Sequence, residues 1–301
     1  MKTFTLTKSD GTTLGATVFT PSVANGRTLL ISSATGVRQQ FYYPFAAFFA
    51  EQGYHVYTFD YTGIGRSLTG DIRACTASYV SWVRDDFAAM VSLVREKHEQ
   101  PVFVVGHSSG GHTLGMTEAA RDVAAFVMVG SQQGNWRNYP LWYKGLVYAA
   151  FTTSMPLLTT LFGYFPAWLH GLGDDLPRGV LHDWQNVLLK PDGVRSVADA
   201  HADDSRQTVY ESLTQPIHII SIEDDLLAPK KAADRLAIEV FPRAAMTRTH
   251  LVPAQLGVKS IGHFGFFRKS FQSSLWIIAA DWLEKQAIRN VRTTPHETAS
   301  V

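Results

Sequence analysis

Cysteine is almost missing from this chain: its 301 residues include one, Cys75. No intramolecular disulfide can form, which suits a reducing compartment. Excess charge is missing too, since 27 Lys and Arg meet 26 Asp and Glu for a net charge of +1. Without a basic stripe, no nucleic-acid partner is expected. The first residues, Met1-Lys2-Thr3-Phe4-Thr5-Leu6-Thr7, alternate like a strand. They hold neither an apolar run of signal-peptide length nor a small-residue cleavage site, so a cytoplasmic location is expected. Neither internal repeats nor low-complexity tracts occur. Gly63-Ile64-Gly65 follows an apolar run, but Leu68 stands where a dinucleotide fingerprint needs its third glycine. His107 and His112 are five apart, which is not the pairing of a zinc-binding helix. A phosphate loop is absent, and neither cofactor nor metal is expected.

One long stretch lacks charge altogether. Residues 145–169 carry no Asp, Glu, Lys or Arg, a length that could span a membrane. Pro156, Pro166 and several Thr and Ser interrupt it, and it lies between segments that read as strands of one sheet. It reads as an apolar lid; membrane contact through it is possible but not expected.

The rest of the chain is globular in composition, with 46% hydrophobic and 18% charged residues. Residues 3–7 and 14–20 read as strands of a hairpin around Ser9-Asp10-Gly11. Apolar runs at 28–32, 55–59, 101–105, 123–129, 217–222 and 246–252 read as further strands, several of them buried on both faces. Helical spacing appears at 40–52, 77–98, 109–121, 232–240 and 270–285. This alternation predicts an α/β fold, a mostly parallel sheet covered by helices on both faces. From 134 to 202 the rhythm stops, predicting a helical cap inserted after the sixth strand. The core would then be 1–133 and 203–286, with a polar, frayed tail at 287–301.

The chemistry centres on Val104-Val105-Gly106-His107-Ser108-Ser109-Gly110-Gly111. An apolar strand runs into Gly-x-Ser-x-Gly and then a helix. Ser108 would sit on a sharp, strained turn with its hydroxyl above the sheet, and the glycines leave room for that turn. A serine hydroxyl needs a base. On such scaffolds the acid and then the base follow the nucleophile along the chain. His263, in a glycine-flanked loop after the last strand, is the candidate base, whereas His250 reads as a packed strand residue. The orienting acid should follow the strand at 217–222, where Glu223, Asp224 and Asp225 stand together. Asp225 has the expected spacing to Pro229; Asp224 remains an alternative, with Glu223 behind it.

Gly106–Gly110, Asp60-Tyr61-Thr62-Gly63-Ile64-Gly65-Arg66-Ser67, the Asp225–Pro229 spacing and Gly262-His263 together resemble the α/β-hydrolase superfamily over nearly the whole chain. Ser33-Ala34-Thr35-Gly36-Val37 and Ile261-Gly262-His263-Phe264-Gly265-Phe266-Phe267-Arg268 resemble a little-characterised bacterial group of predicted α/β hydrolases near the serine aminopeptidase and lysophospholipase-like branch. The resemblance implies a Ser108–Asp225–His263 triad and two backbone oxyanion donors, Ser109 N–H and, by position, Ala34 N–H, with Thr35 as the alternative. Many relatives carry His-Gly-x-x-Gly where this chain has Ser32-Ser33-Ala34-Thr35-Gly36. Backbone donors do not depend on that difference.

The cap is aromatic, and Trp136, Trp142, Phe151 and Trp184 are its candidate substrate-binding residues. Its low charge favours an apolar acyl group. The expected activity is hydrolysis of an ester or thioester through an acyl-enzyme, with a small acyl compound as partner. Acyl transfer, aminopeptidase-like cleavage and a non-catalytic binding role remain as alternatives.

Overall fold

The computed structural model describes residues 1–201 and 208–293. Eight strands form one sheet: β1 (Lys2–Thr7), β2 (Thr13–Phe19), β3 (Thr28–Ser32), β4 (His55–Phe59), β5 (Val102–His107), β6 (Ala125–Val129), β7 (Ile217–Ile222) and β8 (Met246–Leu251). Their spatial order is β1-β2-β4-β3-β5-β6-β7-β8. The first two strands make the expected hairpin, with Asp10 Oδ1 accepting from Thr12 N–H at 2.9 Å in its turn. β2 runs antiparallel to β4, and all later pairings are parallel.

Alternation along the central strands builds two cores. Leu30, Val104, Phe126, Met128 and Ile219 face one side, together with the helix over 79–97. Leu29, Ile31, Phe103, Val105, Val127 and Ile220 face the other, against helices Tyr43–Glu51 and Leu275–Thr293. Because both faces are covered, these strands read as continuous apolar runs rather than half-polar ones. Ser78 caps the 79–97 helix by accepting from Ser81 N–H.

Two expectations need correcting. The helix expected over 109–121 is an α-turn at Ser109–His112 followed by short 3-10 turns at Leu114–Met116 and Glu118–Asp122. Thr117 adopts an extended backbone and caps the last turn. At Gly115 the chain presses so close to Tyr210 that a Cβ would lie 2.1 Å from its ring. At the carboxyl end, residues 287–293 continue the final helix instead of fraying, because Ala287 is buried in the second core. The tail beyond 293 and the expected boundary between 202 and 203 lie outside the described residues. Between β6 and β7 the chain is largely helical, with a continuous helix Leu141–Phe162 and further helices Arg178–Leu189 and Val194–Ala200.

Candidate active site

The candidate residues converge beyond the carboxyl ends of the parallel strands, where open α/β sheets place their ligands. Ser108 follows β5, Thr35 lies in the loop after β3, Asp225 follows β7 and His263 follows β8.

Ser108 has φ +52° and ψ −119°, one of two non-glycine residues with positive φ among the described residues. A backbone of this kind costs on the order of 1–3 kcal/mol and persists only when its surroundings force it. Here the forcing is visible. Ser108 N–H donates to Val129 O at 2.8 Å, and its own carbonyl accepts from Ser131 Oγ at 2.8 Å. The motif glycines are equally constrained. A Cβ on Gly106 would meet Gly110 O at 2.3 Å, and one on Gly110 would meet Ser32 O at 2.3 Å.

Asp225 and Asp224 divide the work that the sequence left open between them. Asp225 is buried; its Oδ1 accepts from the N–H groups of Leu227 and Ala228, both at 2.8 Å. Its Oδ2 lies 2.7 Å from His263 Nδ1. An ionised carboxylate only accepts, so Nδ1 carries the proton and Nε2 is left as the basic nitrogen. Asp224 points elsewhere, accepting from Ser260 Oγ at 2.6 Å and from the N–H groups of Ile261 and Gly262, both at 3.0 Å. Partial burial raises its pKa, but these hydrogen bonds outweigh that and hold it below the usual carboxylate value. Asp224 therefore ties down the loop that carries His263, while Asp225 meets the ring. Gly130, at φ +59°, leaves room for the pair: a Cβ there would be 3.2 Å from Asp225 Oδ2 and from the His263 ring.

The two candidate donors in the loop after β3 differ in what they already bond. Ala34 N–H already donates to Tyr42 Oη at 2.9 Å, so it is not a free donor. Thr35 N–H has no hydrogen-bond partner among the described residues. Ser109 N–H, at the start of its helical turn, has no side-chain cap. Side chains brace these two loops together: Thr35 Oγ1 donates to Ser109 Oγ at 2.9 Å and lies 2.6 Å from Tyr79 Oη.

Sequence reasoning missed the buried histidines around Ser108. His107 Nε2 is 3.0 Å from His263 O, and His107 Nδ1 is 2.8 Å from Tyr42 Oη. A carbonyl can only accept, so Nε2 carries the proton and Tyr42 donates to Nδ1. Burial, and then the charge of His263, holds His107 well below the usual imidazole pKa. The same two causes push His112 down to about 3. His112 Nδ1 faces Gln132 N–H at 3.4 Å, and its Nε2 is buried without a partner among the described residues. The one sequence signal for these positions was their place, directly before and shortly after Ser108.

Ser108, His263, Thr35, Ala34, Gln132 and Trp184 line a small cavity of about 30 Å³. An adjoining apolar cavity of about 480 Å³ lies under the helix Leu141–Phe162, and the two share Leu172, Trp184 and Leu227. Phe151 lines the larger cavity and meets Trp184 edge-on at 5.1 Å. The other two cap candidates fall outside both cavities. Trp136 packs on Tyr148 and under Arg137, and Trp142 is 72% exposed. Composition could not tell these aromatics apart, because all four fall within the aromatic segment expected as the cap, residues 134–202. Among the described residues no cluster of three or more His, Cys, Asp or Glu could hold a metal ion.

The profile of a family described as serine aminopeptidase, S33, matches residues 27–187, more than half of the chain. The chain belongs to this family. The matched segment includes Ser108 but ends before Asp225 and His263, so the S33 profile does not cover those two residues. Solved structures agree on the α/β-hydrolase fold. A soluble variant of monoglyceride lipase from Saccharomyces cerevisiae, bound to a substrate analogue, superposes with a TM-score of 0.64 at 16% identity, covering 95% of this chain and 94% of that one. An esterase from Pyrococcus furiosus has a TM-score of 0.58 at 14% identity, covering 94% and 90%. Alpha/beta hydrolase domain-containing protein 10 from mouse has a TM-score of 0.58 at 15% identity, covering 95% and 99%. A search of curated proteins by sequence gives no significant match. This S33 family member is a serine hydrolase of the α/β-hydrolase type.

Proposed function

We propose that this hydrolase cleaves a carboxylic ester or thioester with an apolar acyl group, using Ser108, His263 and Asp225 as a triad. The observation that carries this reading is the 2.7 Å contact between His263 Nδ1 and Asp225 Oδ2, with His263 and Ser108 lining one cavity. His263 Nε2 takes the Ser108 proton as Oγ attacks the carbonyl carbon. The resulting oxyanion is held by the N–H groups of Ser109 and Thr35. Collapse breaks the bond to the leaving group, which takes its proton from His263 and departs, leaving an acyl-serine. Water, deprotonated by His263, then attacks the acyl carbon, and the acid leaves as Ser108 recovers its proton. Asp225 stays ionised throughout and stabilises the imidazolium.

The larger cavity is the acyl site in this reading, and residues 134–201 act as its lid. Its walls, including Val147, Phe151, Met155 and Leu188, are apolar. An aminopeptidase would need a carboxylate to hold the free amine of its substrate. Asp174, Asp175 and Asp183, the acids nearest in the sequence, line neither cavity. Ester chemistry is therefore favoured over peptide chemistry. The half-buried thiol Cys75, without a disulfide, suits the reducing cytoplasm.

The test is hydrolysis of p-nitrophenyl esters from acetyl to palmitoyl by wild type and Ser108→Ala. Wild type should turn over with an optimum above acetyl, and the variant should lose on the order of 10⁴-fold in kcat. No turnover on any ester, together with no labelling by a fluorophosphonate, would overturn the reading.

A further inference from the structure

The helix Leu141–Phe162 meets the rest of the protein in an unusual way. It packs inward along a single narrow stripe, Val147, Phe151, Met155 and Thr159, spaced four apart. The wider π-type turn at Ala150–Ser154 keeps residues at that spacing in line. A surface helix normally turns its polar residues outward. Here the outward side holds Leu141 at 83% exposure, Trp142 at 72%, Leu161 at 70% and Leu157 at 58%, while Leu146 stands at the rim of the larger cavity. Apolar exposure on this scale marks a surface that is covered by something.

Two further observations say what covers it. The serine and threonine hydroxyls of this helix turn their donors back into it. Thr152, Thr153, Ser154, Thr159 and Thr160 each bond the carbonyl four residues earlier, at 2.8, 2.8, 3.3, 2.8 and 2.9 Å. A protein partner would use such donors across its interface, at roughly one hydrogen bond per 100–200 Å². In hydrocarbon the requirement is the opposite, that polar groups be satisfied internally. The charge pattern points the same way. The helix carries one charged side chain, Lys144, with Arg137 just before it, while the next acids along the chain, Asp174 and Asp175, lie past its carboxyl end beside Trp168. Cations at its amino end complement anionic headgroups.

We propose that this helix lies flat on an anionic phospholipid surface. It does not span the bilayer, because its inward stripe is committed to the protein core, and its outer leucines enter the headgroup–acyl boundary while Trp142 anchors its amino end. The inner side of the same helix lines the 480 Å³ cavity that adjoins Ser108. An acyl group leaving the bilayer can therefore pass under the helix into that cavity.

The experiment is flotation of the full chain with vesicles of phosphatidylglycerol and phosphatidylcholine, and with phosphatidylcholine alone. Wild type should float with the mixed vesicles and far less with the neutral ones. The double variant Leu141→Ser/Leu161→Ser should lose on the order of tenfold or more in partitioning, since each buried CH₂ contributes about 0.8 kcal/mol. Its hydrolysis of a water-soluble acetyl ester and its fluorophosphonate labelling should stay at wild-type levels, because neither leucine lines a cavity. Those two readouts separate failure of membrane docking from failure of the esterase reading. Wild type that floats with neither vesicle, or a double variant that floats as well as wild type, would overturn the proposal. So would a dimer, seen by sedimentation, that the double substitution abolishes, since a second copy would then cover this face.

Discussion

Tyr42 Oη lies 2.8 Å from His107 Nδ1 and 2.9 Å from Ala34 N, joining the loop after β3 to the residue before Ser108. Through His107 Nε2 the connection continues to the carbonyl of His263 at 3.0 Å. Every donor in this chain faces an acceptor: Ala34 N–H to Tyr42, Tyr42 O–H to His107, His107 N–H to His263. Tyr42 is fully buried, and burial holds its phenol well above its usual pKa, so the hydroxyl remains a donor. Tyr42→Phe removes the central link and leaves Ala34 N–H and His107 Nδ1 unpaired, at about 1–3 kcal/mol for each buried orphan. The expected outcome is a lower unfolding midpoint and about a tenfold fall in kcat, with KM little changed. Denaturant unfolding and steady-state kinetics on one ester read both effects. Equal kcat in the variant would show that the link has no part in aligning His263.

Asp224 and Asp225 are neighbours with separable roles. Asp225→Asn should cost on the order of 10⁴-fold in kcat, because the amide favours the wrong imidazole tautomer. Asp224→Asn keeps the His263 pairing and weakens three hydrogen bonds to its loop. Its kcat should fall by only about tenfold, while stability drops by about 1–3 kcal/mol. A reversed order of kcat losses would exchange the two assignments.

Gly106, two residues before Ser108, is held by contact, not by backbone angle. Gly106 does not have positive φ, yet a Cβ there would overlap Gly110 O and the Gly111 Cα, the latter at 2.6 Å. Gly106→Ala must push the Ser108 turn away from β5, and overpacking of this kind costs about 1–3 kcal/mol or more. Lower thermal stability and slower fluorophosphonate labelling should appear together. Normal values for both would mean that the turn yields freely.

Trp184 stands between the two cavities, half-buried against Phe151. Trp184→Ala should open one cavity into the other and weaken the grip on a long acyl group. The kcat/KM for the longer esters should fall by about tenfold, with acetyl ester turnover changed much less. A uniform loss across chain lengths would instead point to a general disturbance of the site.

Stability should fall in mild acid. Burial pushes His218 down to about 4; burial and then the His263 charge push His112 to about 3 and hold His107 well below 6.5. In the unfolded chain all three titrate near 6.5, so as pH falls the unfolded state binds protons that the native state refuses. Their stabilisation is complete above about pH 6.5 and is lost below it, at about 1.4 kcal/mol per pH unit for each histidine, until the folded pKa values are reached. Melting temperatures taken between about pH 7.5 and pH 4.5 should decline steeply. A flat profile would mean these rings are protonated in the fold.

Much of this protein was written in local sequence. Strands buried on both faces must be apolar throughout, so β3, β5, β6 and β7 stand out as short hydrophobic runs. The Ser108 turn is equally legible, because its strained backbone and crowded neighbours permit few residues besides Gly-x-Ser-x-Gly. His263 could be named from its glycine-flanked loop after the last strand. Less local features escaped. Nothing in the sequence distinguishes Asp224 from Asp225 beyond spacing, since adjacent carboxylates differ only in the direction that the folded loop gives each one. The choice between Ala34 and Thr35 was open in the sequence because Tyr42, which accepts from Ala34 N–H, reaches that loop only through the fold. Composition marked the cap as aromatic, but only packing turned Phe151 and Trp184 inward and left Trp142 and Leu161 outside. Sequence by itself determined which residues could do the chemistry, because covalent spacing and backbone strain act over a few positions. Tertiary structure decided which of them meet, because each hydrogen bond and cavity wall joins segments that the chain holds far apart.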